Sequence, residues 1–122
     1  MLKPLTREEV GIHLTAEADQ TAVLGNASAS GVKRIDREIE QEIFERLNRG
    51  DVWAWADVTV TVSWGPFSAI DTFGGCNYEN EEEFRQPGGY FDDMVDEALA
   101  KLNRKIMDYY QILRGRELGV AE

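Results

Sequence analysis

Few side chains in this chain have types and spacings suited to catalysis. Cys76 follows Gly74 and Gly75 and precedes Asn77. That setting is flexible enough to expose a thiol, and His13, the single imidazole of the chain, is the available base for it. Asp57 and Asp71 are the carboxylates that could serve a small hydrolase or transferase, provided a concave pocket formed around them. A lone cysteine after a strand, however, is more often a small packing residue than a nucleophile. No residue belongs to a recognised nucleophile, Walker, Rossmann or zincin motif.

A second kind of chemistry is carried by charge. The segment Glu79 to Glu97 contains Glu79, Glu81, Glu82, Glu83, Asp92, Asp93, Asp96 and Glu97 against Arg85 alone, seven of the ten net negative charges. Carboxylates spaced over one surface can imitate a phosphate backbone and meet the Lys and Arg side chains that ordinarily hold nucleic acid. Acidic residues in first helical turns also have a purely local role, offsetting the helix dipole. Asn77, Glu79, Glu81 and Glu83 alternate as oxygen donors but lack the order and central glycine of a calcium loop, so no metal is expected, nor any other cofactor. Trp53 and Trp55 interrupt an otherwise polar strand face. Either another element covers them or they form an aromatic contact for a partner.

The elements that must position these groups are legible as periodicities. Residues 10–18 alternate apolar and polar and predict a half-buried strand, although Thr6 and Glu9 have capping-box spacing. Gly25 to Gly31 is a small, polar loop. Val32, Ile35, Ile39, Ile43 and Leu47 mark an amphipathic helix that Gly50 ends. Val52 to Trp64 predicts a strand with its even-numbered residues buried, and Gly65-Pro66 turns it into a second strand over 67–73. Asn80 with Glu83 starts a short helix over 81–85. A longer helix follows, with Phe91, Met94, Val95, Ala98, Leu99, Leu102, Ile106, Tyr109, Tyr110 and Leu113 in one stripe and Gly115 as its expected end. The expected fold is therefore a single α+β domain over residues 1–122, with a small antiparallel sheet made of a hairpin plus an N-terminal strand, packed against two main helices.

Composition narrows the function classes. The chain has 122 residues, 23 acidic against 13 basic, a formal charge of -10, 43% hydrophobic residues and one cysteine. It is long enough and apolar enough to build a core. A single cysteine excludes an internal disulfide and multi-cysteine zinc sites and favours a reducing compartment, so a cytoplasmic location is expected. Neither a signal sequence nor a membrane-spanning stretch is apparent. Nucleic acid and anionic lipid would be repelled, whereas a basic protein surface would be attracted.

Three stretches carry a resemblance: Arg49-Gly50-Asp51-Val52-Trp53-Ala54-Trp55-Ala56, Gly74-Gly75-Cys76-Asn77-Tyr78 and Gln86-Pro87-Gly88-Gly89-Tyr90-Phe91-Asp92-Asp93-Met94. Together they resemble a family of small bacterial proteins linked to prophages and mobile elements, over about Gly25 to Leu102. The resemblance carries over no catalytic or binding residue. What it implies is a direction, since small acidic proteins of mobile elements, anti-CRISPR proteins among them, inhibit host defence by occupying basic surfaces meant for nucleic acid. The expected function is a non-enzymatic protein-binding module acting through Glu79, Glu81, Glu82, Glu83, Asp92, Asp93 and Asp96, with Trp53 and Trp55 as an aromatic contact. A small enzyme using Cys76 or Asp57 and Asp71, and a self-associating protein such as a homodimer, are the alternatives.

Overall fold

A computed structural model describes residues 2–117. Alternation builds the sheet as the sequence predicts. β1 (Gly11–Ala18), β2 (Ala56–Trp64) and β3 (Phe67–Cys76) form an antiparallel sheet in the order β1-β2-β3. Leu14 pairs with Val60 and Val62 with Ala69, so the even-numbered residues of β1 and β2 share one face. Ala56, Val58, Val60 and Val62 are wholly buried on it. The reverse face carries His13, Thr15, Thr59, Thr61, Ser63, Ser68 and Thr72 and remains open, the usual division for an antiparallel sheet with one solvated side. Gly65 supplies the positive φ that the first position of a two-residue hairpin turn requires.

α3 (Tyr90–Glu117) lies across β2 and β3 and closes the main core with Phe91, Met94, Val95, Ala98 and Leu102. α1 (Lys33–Asn48) sits at one end of the sheet. There Ile43, Val23, Ala54 and Trp55 form a second buried cluster, flanked by Ile39 and Leu47. The fold is the expected α+β arrangement of a three-stranded antiparallel sheet with two main helices and the short α2 (Glu81–Phe84).

β3 runs through Gly74 and Gly75 to Cys76, past the glycines expected to end it at Phe73, and three other boundaries differ from expectation, each for a local reason. The central strand begins at Ala56 and not Val52, because the Asp51 side chain accepts a hydrogen bond from Trp53 N (3.2 Å) and winds Val52–Ala54 into a 3-10 turn. Thr6 and Glu9 do form a capping box, but it holds only the single turn Arg7–Glu9 before the chain extends into β1. α3 runs through Gly115 to Glu117, since one glycine costs a helix only about 1 kcal/mol.

Candidate interaction surface

The acidic segment is built on aromatic packing. Phe84, almost fully buried, ties α2 to the body. Its ring centroid lies 5.3 Å from Trp53, 4.9 Å from Tyr78 and 6.4 Å from Phe91. With Phe84 pointing inward, Glu81, Glu82 and Glu83 on the same short helix point outward and are exposed. Asn80 Oδ1 accepts from Glu83 N (2.9 Å) and starts the helix, while Glu83 Oε2 accepts from Glu79 N (3.3 Å). On α3, Asp93, Asp96 and Glu97 lie opposite the buried Met94, Val95 and Ala98, so helical geometry adds three exposed carboxylates to those of α2.

A buried guanidinium fixes the approach to this segment. Arg46, on α1 and 8% exposed, donates from Nε to Asp51 Oδ2 (2.8 Å), from Nη1 to Asn77 Oδ1 (3.3 Å) and from Nη2 to the carbonyls of Tyr78 and Glu79. One side chain thereby joins α1, the turn before β2 and the start of the acidic stretch. Arg46 was legible only as a charge lying three residues from Ile43, on the apolar side of its helix. Its partners come from two separate parts of the chain, Asp51 and the run Asn77 to Glu79. Asp19 plays a comparable part at the end of β3. Its Oδ1 accepts from Thr21 N (2.8 Å) and its Oδ2 from Gly75 N (2.5 Å), and these bonds, the Thr21 amide foremost, hold its carboxyl below the usual range. A Cβ at Gly74 would fall 2.8 Å from Asp19 Oδ2, and Gly75 has positive φ against the Trp55 ring, so both glycines serve this docking.

Not every carboxylate of the segment is available. Asp92 accepts from Gly88 N (2.9 Å) and pairs with Arg7 (2.8 Å), two contacts that lower its pKa, the Gly88 bond foremost. Glu81 pairs with Arg85 (2.8 Å), whose guanidinium also lies 4.7 Å from the centre of the Phe91 ring. Among the described residues, Glu79, Glu82, Glu83, Asp93, Asp96 and Glu97 take part in no ion pair. They are exposed at the start of α2 and on the first turns of α3, and together are termed the acidic ridge.

Trp55 requires a correction, because it is not a surface aromatic. Trp55 is 5% exposed, and its Nε1 donates to Thr21 O (2.8 Å) within the second core. Trp53 is half-buried, edge-on to Tyr78 and tilted against Phe84. The 3-10 turn removes the strand alternation that would have aimed both indoles at one open face.

The residues considered for catalysis do not converge. Cys76 is buried and pairs with Ala56 on the core face, whereas His13 is exposed on the open face beside Thr61. Burial, followed by the charges of Asp19 and Asp57, pushes the Cys76 thiol up to about 11. Asp57 lies on the open face, and Asp71 lies opposite Val60 and pairs with Lys101 (3.2 Å). Asn77, Glu81 and Glu83 each have one side-chain oxygen engaged, by Arg46, Arg85 and the Glu79 amide respectively. Among the described residues, no group of three or more His, Cys, Asp or Glu side chains is placed to hold a metal ion, and no helix is long and apolar enough to cross a membrane. No protein family, curated protein or solved structure matches the chain.

Proposed function

We propose that this chain is a non-enzymatic, acidic protein-binding module whose ridge occupies a basic, nucleic-acid-binding surface of another protein. Its most specific form is inhibition of a host defence complex by a mobile-element protein, as anti-CRISPR proteins inhibit theirs. One observation carries the reading: six exposed carboxylates without ion-pair partners project from a backbone fastened by Phe84 and Arg46. Because the scaffold is already ordered, a cationic partner would lose little binding energy to ordering the ridge. Such a surface would act first on association rate and on discrimination between partners. The recognition rests on the carboxylates, since Trp55 is spent on packing and Trp53 is half-buried against Tyr78 and Phe84.

The test uses the tagged chain to retain proteins from a host extract, with the variant Glu82→Lys/Asp93→Lys/Asp96→Lys beside it. The expected result is retention of a nucleic-acid-binding protein that raised salt and excess duplex DNA both release, and that the variant fails to hold while remaining folded by circular dichroism. Attraction between exposed charges weakens beyond about 10 Å at 0.1 M ionic strength. A retained partner indifferent to salt, to DNA and to the triple substitution would refute the proposal.

A further inference from the structure

The two edges of the sheet are treated differently. At the β3 edge, α3 supplies two lysines: Lys101 Nζ donates to Ile70 O (3.1 Å) and Lys105 Nζ to Ser68 O (2.6 Å). These carbonyls therefore point away from β2. Ile70 stands opposite Thr61 and Thr61 opposite His13, while Ser68, Ser63 and Gly11 align likewise. Backbone groups alternate in direction along an antiparallel ladder, so His13 and Gly11 bond to β2, and the N–H and C=O of Ile12, Leu14, Ala16 and Ala18 point outward from β1. Among the described residues, no hydrogen bond outside the ladder involves residues 11–18, apart from the regular pairing with β2. Apart from Glu17, β1 has few of the devices that blunt an exposed edge: it has no lysine, no proline and an unbroken register over all eight residues.

We propose that the outer edge of β1 pairs antiparallel with β1 of a second copy of this chain, about a two-fold axis through Thr15, to make one continuous six-stranded sheet. Side-chain pairing on the open face selects both occupant and register. On the open face Glu17 stands directly opposite Asp57 and, among the described residues, no cation pairs with either, an unfavourable cross-strand arrangement. Pairing about Thr15 places His13 of the second copy on the other side of Glu17, and does so twice by symmetry. In the same register Leu14 exchanges backbone bonds with Ala16 of the second copy and Ile12 with Ala18. Apolar side chains thus meet on the core face, and Thr15 meets its own copy on the open face. An isologous contact of this kind closes on itself, so assembly stops at the dimer. The inference concerns a surface separate from the acidic ridge and does not rest on it.

The experiment has two arms. In a Cys76→Ala background, Thr15→Cys places two thiols at a non-hydrogen-bonded pair, where Cα atoms stand about 4.5 Å apart, within disulfide range. Mild oxidation is expected to give a covalent dimer, whereas Thr72→Cys, exposed on the same face at the other edge, is not. Ala16→Pro removes an outward N–H that the folded monomer does not use. It is expected to halve the solution mass measured by sedimentation equilibrium while leaving circular dichroism unchanged. A parent chain of monomeric mass across the concentration range overturns the proposal. So does a dimer that Thr15→Cys fails to cross-link, whatever the fate of the proline variant.

Discussion

At the scale of single residues, the decisive side chain is Arg46 and not any of the acidic groups it helps to present. Its guanidinium satisfies an aspartate, an asparagine and two backbone carbonyls at once. Only the planar, multi-donor fork of arginine serves such a set. Arg46→Leu should cost about 3 kcal/mol, since it removes one partner of a largely buried pair and strands the acceptors that remain. Chemical denaturation measures that loss. Hydrogen exchange should show the amides around Tyr78 and Glu79 opening more readily than those of β2, with Arg46→Lys intermediate. A uniform loss of protection across the chain would mean that Arg46 serves general stability and not the seating of the acidic segment.

At the scale of elements, the helix starts depend on carboxylates inside the chain's own turns. Asp36 accepts from Ser30 N (3.0 Å), Ser28 Oγ (2.8 Å) and Ser30 Oγ (2.8 Å), which ties the serine-rich loop to the first turn of α1. Val32, at the helix boundary, makes no side-chain cap. Asp92 does the same for α3 through Gly88 and Arg7. Both carboxyls are held below their ordinary value, Asp36 chiefly by the Ser30 amide and Asp92 chiefly by the Gly88 amide. A folded-state pKa below the unfolded one, about 3.9 for aspartate, gives a contribution that is complete above that value. It is lost as pH falls through the folded pKa, where the caps become protonated. The parent should therefore lose thermal stability as pH drops below about 4. Asp36→Asn and Asp92→Asn should be less stable than the parent at neutral pH and converge on it in acid. Melting curves across the acid range check this, and variants whose deficit persists unchanged at low pH would contradict it.

At the scale of the whole molecule, one sheet face carries the stability and the other is left free. Val60 lies on the central strand with no exposure, under Leu14 on one side and beside Asp71 on the other. Val60→Asp would bury an unpaired charge there and should abolish the cooperative melt, whereas Thr61→Asp, on the next residue and the opposite face, should leave a folded protein. Differential scanning calorimetry of the two variants checks the assignment of faces. A cooperative Val60→Asp melt like that of the parent would place the core on the wrong side. The two proposed surfaces are also compatible at this scale. Pairing through β1 continues the sheet without turning it over, so both copies present α3 on the same side and a dimer would offer two acidic ridges to a partner.

The amino-acid sequence by itself determined the periodicities, and with them the three strands, both main helices and the buried face of β2. Alternation and the helical stripe report how each segment must shed its own apolar surface. Long-range pairing decided the rest. The alternation of Trp53 and Trp55 with their neighbours reads as strand, yet the Asp51 cap and the second cluster around Ile43 wind that stretch into a turn and bury Trp55. Likewise, the pairing of Cys76 with His13 was open on paper. The register of three strands puts them on opposite faces, and register depends on which apolar sets meet across the sheet. The acidic run could be counted in the sequence. Which of its carboxylates are consumed by Arg7, Arg85 and backbone amides, and which remain as a ridge, follows from contacts between residues far apart in the chain, as with Arg7 and Asp92, and such contacts exist only once the chain has folded.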